Sequence, residues 1–267
     1  MNKLRFAAPL LALLLITGCA TLPNGRLWRQ SATLRPGWDR VEKAVKDAAL
    51  APQTWAPLVG AAVFRATDWD RHVSNWALDH HPVFGSSSSA DTASDILALS
   101  SAGAYGLTVL AAPGGTQPGP WLKAKIRGGL VGTAAFLTVF GTTEGIKAGV
   151  HRSRPDRSDD DGFPSFHAAG TTAMATLASR NLEALQLAPA ERTAADIGLG
   201  GLVAATDWAR IEAGKHYPSD VLVGTALGYF VSSVFNDAFL GRYDEMPVGA
   251  TLDLSRQEVV VGLAGHF

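Results

Sequence analysis

The chain has 267 residues and a formal net charge of −1, which suits one domain with a real core and offers no basic field for nucleic acid. Hydrophobic residues make up 47%, too many for a disordered chain and fewer than a polytopic membrane protein usually carries. The single cysteine, Cys19, excludes an intramolecular disulfide.

Residues 1–18 read as a secretory signal peptide. Lys3 and Arg5 precede an apolar run from Phe6 to Ile16, and small residues lead up to Cys19. The run is short for a membrane span. Ile16-Thr17-Gly18-Cys19 resembles the lipobox of bacterial lipoproteins. That resemblance implies a lipidated Cys19 as the mature first residue and an exported protein anchored in the cell envelope. Ala20, where inner-membrane retention uses aspartate, implies an outer-membrane anchor facing the periplasm if the host is Gram-negative.

Residues 19–36 read as a tether, with "LPNGR" and "LRPG" as turn signals. A helical domain is expected over 37–245. Trp38, Val41, Val45 and Ala49 keep helical spacing, and a second helix is expected from after Thr54 to His80, before Pro82. "FGSSSSADTAS" reads as a flexible loop leading into an apolar helix over 95–112. "APGGTQPGP" breaks the chain. Further helices are expected over 121–149, 166–184, 191–209 and 219–238. The uncharged runs 128–143 and 221–235 fall short of the roughly 20 residues of a span, so the helices read as the core of a soluble bundle. Trp69 and Trp76, seven apart, read as core. Residues 246–267 alternate apolar and polar positions around "SRQE" and read as a β-hairpin.

The chemistry concentrates between residues 147 and 220. In "GFPSFHAAG" (162–170) a helix start brings together Ser165, His167 and N–H groups that lack intrahelical partners, a setting that attracts anions. Upstream, "KAGVHRSRP" supplies Lys147 and Arg154. Downstream, "WARIEAGKHYPSD" supplies Arg210, His216 and Asp220. A phosphate in transfer carries charge over its equatorial oxygens, and three fixed cations with a helix start would stabilise it.

The ordered set K-x6-R-P, P-S-x-H and R-x5-H-x3-D resembles the type 2 phosphatidic acid phosphatase superfamily, which includes bacterial acid phosphatases and vanadium haloperoxidases. The resemblance implies an all-α helix bundle and hydrolysis of phosphomonoesters or pyrophosphates, foremost lipid phosphates, without a metal. It implies His216 as nucleophile, Asp220 as holder of its other ring nitrogen, and His167 as the group that protonates the leaving oxygen and then activates water. It places Lys147, Arg154, Ser165, Phe166 (through its backbone N–H) and Arg210 around the phosphate. Phe166 stands where the family usually has glycine and Ala209 where it usually has serine. The Phe166 ring is expected to narrow the pocket or meet a lipid chain.

The implied partners are a phosphorylated lipid or small phosphomonoester and a membrane reached through the anchor. A broad-specificity periplasmic acid phosphatase is the alternative; a haloperoxidase holding vanadate and a non-catalytic phosphate- or lipid-binding lipoprotein rank lower. Arg152 reads as a solvated residue outside the motifs, Asp159–Asp161 as a solvated loop, and His80 and His81 as a helix end. No metal site is expected.

Overall fold

The computed structural model describes residues 21–22 and 28–241. The signal peptide, Cys19 and the expected hairpin over 246–267 lie outside the described residues, as does part of the tether. Eight α-helices follow in order: α1 (Trp38–Leu50), α2 (Pro52–Ala66), α3 (Trp69–His80), α4 (Ser87–Ala111), α5 (Pro118–Val150), α6 (Phe166–Leu182), α7 (Pro189–Glu212) and α8 (Pro218–Phe235). A π-helical turn, Asn236–Leu240, continues α8.

The helix starts follow from local chemistry. Proline opens α2, α5, α7 and α8, where its missing N–H costs nothing. Serines cap the other two long helices: Ser86 accepts from Ser89 N at 3.1 Å, and Ser165 accepts from Ala168 N at 3.3 Å. The serine-rich segment expected as a loop is therefore the first turns of α4, with Ala90 and Ser94 fully buried. The single helix expected up to His80 is two helices. Thr67 ends α2, and Asp68 turns the chain with φ 56° although no glycine or proline marks the spot. His80 and His81 do end a helix: His80 Nδ1 sits 2.9 Å from Trp76 O, and His81 is its left-handed cap.

Helices α4 to α8 alternate in direction through short connections, so the bundle has two poles. One pole gathers the starts of α4, α6 and α8 with the ends of α5 and α7. At the opposite pole Leu22 and Trp28 pack against Val109, Ala112, Ala124 and Ala184. Arg29 closes that pole by donating to Asn181 Oδ1 (2.8 Å) and Asn236 Oδ1 (2.9 Å).

The tightest crossing joins α6 to α8. A Cβ on Gly224 would stand 2.4 Å from Ser165 O, and one on Gly228 would stand 2.1 Å from Ala169 O. Only glycine lets the two backbones approach this closely. Ala168, Ala169 and Ala173, all fully buried, line the other side.

Among the described residues three helices are long and apolar enough to cross a membrane: Ser87–Ala111, Pro118–Val150 and Pro218–Leu240. The expectation of spans too short counted only uncharged runs, whereas the helices continue past isolated charges near their ends. The outer faces of α4 and α5 are apolar and open, as Leu99 (74% exposed) and Leu137 (59%) show, whereas α8 has no exposed residue. Trp69 and Trp76, expected in the core, are exposed as well, with Trp76 stacked on His80.

The crossing makes a testable contrast. Gly228→Ala should lower stability by about 1–3 kcal/mol through overpacking. Gly145→Ala, where nothing lies within 4 Å of the added carbon, should be neutral or gain up to about 1 kcal/mol from helix propensity. Thermal melts of the detergent-purified variants measure both.

Candidate active site

Two loops build the site at the first pole. One runs from His151 to Ser165, between α5 and α6; the other runs from Ala213 to Tyr217, between α7 and α8. The first folds back on itself: Gly162 N donates to Arg152 O at 2.8 Å, and Arg154 N donates to Asp159 O at 3.0 Å. A Cβ at Gly162 would stand 2.7 Å from Arg152 O, so the closure needs glycine. In the second loop Gly214 takes φ +71°, which turns the chain off the end of α7.

Three contacts stitch the loops together. Asp156 N donates to Gly214 O at 3.0 Å, Lys215 Nζ pairs with Asp156 at 2.7 Å, and Ser165 N donates to Asp220 O at 3.1 Å. His216 is thereby buried at 2% exposure. Its Nδ1 lies 2.7 Å from the carbonyl oxygen of Gly162. A carbonyl can only accept, so Nδ1 carries the proton and Nε2 keeps a lone pair.

This corrects the expectation that Asp220 holds the ring of His216. Asp220, fully buried, accepts instead from Tyr217 N at 2.7 Å and from Arg152 Nη1. Its place in the first turn of α8 is the reason: Tyr217 immediately precedes that helix, and the carboxylate reaches back to cap it. Arg152, expected to be solvated, is the hub of this cluster. It also donates to Ser219 Oγ (2.8 Å) and Asp70 Oδ2 (2.9 Å), and it lies 4.3 Å over the Tyr217 ring. Asp70 in turn accepts from Ser219 N and Ser219 Oγ. Arg152 and Asp70 thus clamp both loops to α3, and no spacing in the sequence singles them out.

The expected cations lie within electrostatic reach of His216. Arg210, Arg154 and Lys147 all act on His216, and together with burial, the largest cause, they hold its proton affinity well below the usual histidine range. Arg210 is 5% exposed, and its Nε is buried without a hydrogen bond. Each cation also has a carboxylate neighbour. Lys147 pairs with Glu144 (2.8 Å), Arg154 with Asp159 (2.5 Å) and Arg210 with Asp91 (2.5 Å). Asp159 is therefore more than part of a solvated run.

Ser165 is fully buried, and its oxygen caps α6 while its hydroxyl proton stays available. The first bond back into α6 comes from Ala169 N to Ser165 O. The N–H groups of Phe166 and His167 lie ahead of it, at the positive end of the helix. The Phe166 ring turns away into α5, edge-on to Phe136 (5.6 Å) and Phe140 (5.3 Å). It packs the core and does not narrow a pocket, contrary to expectation. His167 Nε2 lies 2.8 Å from Asp95 Oδ1. Asp91 and Asp95 stand four apart on one face of α4, a pairing the sequence reading does not offer because it places Asp91 in a loop and Asp95 at the first residue of a helix. Among the described residues no group of three or more His, Cys, Asp or Glu could hold a metal ion.

A family model described as the PAP2 superfamily matches residues 127–242, which hold every expected site residue except Cys19. Among solved structures the chain is similar to a transmembrane PAP2-type phosphatidylglycerolphosphate phosphatase from Bacillus subtilis. The TM-score is 0.53 at 17% identity, covering 70% of this chain and 95% of that one. At that identity the likeness is one of fold. No curated protein matches the chain.

The buried imidazole gives a pH signature. In the unfolded chain His216 protonates below about 6.5, while in the folded protein it stays neutral to much lower pH. The unfolded state then binds the extra proton, so stability falls as pH drops below about 6.5, by up to about 1.4 kcal/mol per unit. His216→Asn should therefore lose less melting temperature than the wild type between pH 7 and pH 5.

Proposed function

Residues 127–242 of the chain belong to the PAP2 superfamily, and from that premise and the site geometry we propose a phosphatase that acts on lipid phosphates through a phosphohistidine on His216. The observation that carries the reading is a buried imidazole whose Nδ1 meets the Gly162 carbonyl at 2.7 Å, leaving the Nε2 lone pair free, with Arg210, Arg154 and Lys147 near enough to act on the ring.

The steps follow from these groups. The phosphate enters among the three cations, with the Arg210 Nε, the Ser165 hydroxyl and the N–H groups of Phe166 and His167 as further donors. Nε2 of His216 attacks phosphorus, and the Gly162 carbonyl steadies the Nδ1 proton as the ring gains charge. His167 protonates the departing oxygen, then takes a proton from the water that hydrolyses the phosphohistidine. Asp220 serves the nucleophile indirectly, by fixing the Tyr217 turn and Arg152. The mechanism calls on no metal.

Two features favour a lipid substrate. The three apolar helices suit a chain embedded in a membrane. Beside the pole, a cavity of about 600 Å³ is lined by Leu58, Ala61, Val150, Phe163 and Val223 on one hand and by Arg65, His151, Arg152 and Ser219 on the other. Apolar walls near a phosphate cage suit an acyl chain with a charged head. A lipid on Cys19 would add a second hold on the envelope.

The test is phosphate release by the purified protein on lipid phosphates, isoprenyl pyrophosphates and soluble monoesters, with and without chelator. Lipid substrates should lead, and chelator should not inhibit. With a phosphate-labelled substrate, His216→Ala should abolish turnover and labelling, whereas His167→Ala should accumulate an acid-labile, base-stable label. Labelling of the His216 variant would overturn the assignment. Embedding has its own measurement: Cys19→Ser should stay in carbonate-washed membranes, and its release would show that the lipid anchor alone holds the protein.

A further inference from the structure

The site contains a carboxylate that the motifs do not supply. Asp95 stands on the third turn of α4, far from residues 147–220 in sequence, yet its Oδ1 lies 2.8 Å from Nε2 of His167. Its side chain is 69% exposed, so the fold gains little from it. The same face of α4 carries Asp91 and Ser94, and both meet Nη1 of Arg210, at 2.5 Å and 3.1 Å. The start of α4 is thus a third wall of the site, beside the two loops.

We infer that Asp95 is the positioning residue of His167, holding Nε2–H so that Nδ1 is the nitrogen that moves the proton. The inference rests on the reading of His167 as the proton-transfer group. An ionised carboxylate only accepts, so Nε2 keeps its hydrogen in both charge states of the ring. Neutral His167 then has its lone pair on Nδ1, and the imidazolium carries its transferable proton there.

The balance closes over both steps. As His216 Nε2 forms the P–N bond, the P–O bond breaks. The leaving oxygen keeps that electron pair and takes the Nδ1 proton of His167. In the second step a water oxygen bonds to phosphorus while its proton passes to Nδ1. The P–N bond breaks, and its electron pair returns to His216 Nε2. His167 ends protonated as it began, and Asp95 accepts from Nε2–H throughout.

The charges around His167 show what Asp95 contributes. Burial, the largest cause, and Arg210 on α7 both lower its proton affinity, while Asp95 and Asp91 on α4 raise it. The neighbouring Phe166 ring carries no charge. Without Asp95, His167 is left beside Arg210 with a weaker hold on its proton and a ring free to turn.

The experiment uses full-length protein in detergent and two esters, 4-nitrophenyl phosphate and a long-chain alkyl phosphate. The first leaves readily without a proton; the second needs one. Asp95→Asn and Asp95→Ala should each lose kcat on the alkyl ester about 10-fold or more beyond any loss on the nitrophenyl ester. The alkaline limb of the alkyl-ester profile should move to lower pH. In a His167→Ala background, Asp95→Asn should add no further loss. Equal losses on both esters, or additive losses in that background, would overturn the inference while leaving His167 in its role. A His167→Ala variant that treats both esters alike would remove His167 from proton transfer, and the role of Asp95 with it.

Discussion

The site depends on how closely α6 and α8 approach. Each carries one half of the proposed site at its start: Ser165 and His167 on α6, and the His216 turn held by the Asp220 cap on α8. Gly224 and Gly228 let α8 press against the backbone of Ser165 and Ala169. The bond from Ser165 N to Asp220 O then ties the two helix starts directly. A side chain at either glycine would part the helices and strain the bond that ties their starts. Close packing here sets catalytic geometry as much as stability.

Electrostatics works on that frame in two layers. At the inner layer burial, and after it the nearby positive charge, keeps the His216 ring unprotonated, as the proposed nucleophile requires. The outer layer consists of carboxylates on the rim, Glu144, Asp159 and Asp91, each beside one cage cation. Mutual repulsion among Lys147, Arg154 and Arg210 is offset this way before any phosphate arrives. An incoming dianion meets cations already held in place, so little rearrangement opposes its binding. Below both layers, Arg152 and Asp70 fasten the loops to α3.

Much of this was legible in the sequence, for a physical reason. Lys147, Arg154, Arg210, His167 and His216 are residue types whose charge or ring nitrogen is the chemistry itself, at spacings that helix ends enforce. What could not be read is how partners are shared out. Asp220 stands four residues after His216 in either arrangement, but only the folded loops show that Gly162 O takes the imidazole and Arg152 takes the acid. Asp91 was hidden by composition, since four serines suggest a loop until Ser86 is seen to cap a helix, and Asp95 at the expected helix start had no partner in sequence to mark it. Phe166 was judged against a family glycine, while its direction depended on Phe136 and Phe140 across the interface. The membrane-length helices were missed because an uncharged run is shorter than the helix that contains it.

The seating of Leu22 and Trp28 at the pole opposite the site separates two tasks. Between the poles lies α7, whose 24 residues measure about 36 Å, more than the roughly 30 Å of a hydrocarbon layer. Under the proposed function, a chain held just ahead of Leu22 would keep its point of attachment and its phosphate site at opposite ends of the bundle, and the length of the helices would set the distance between them.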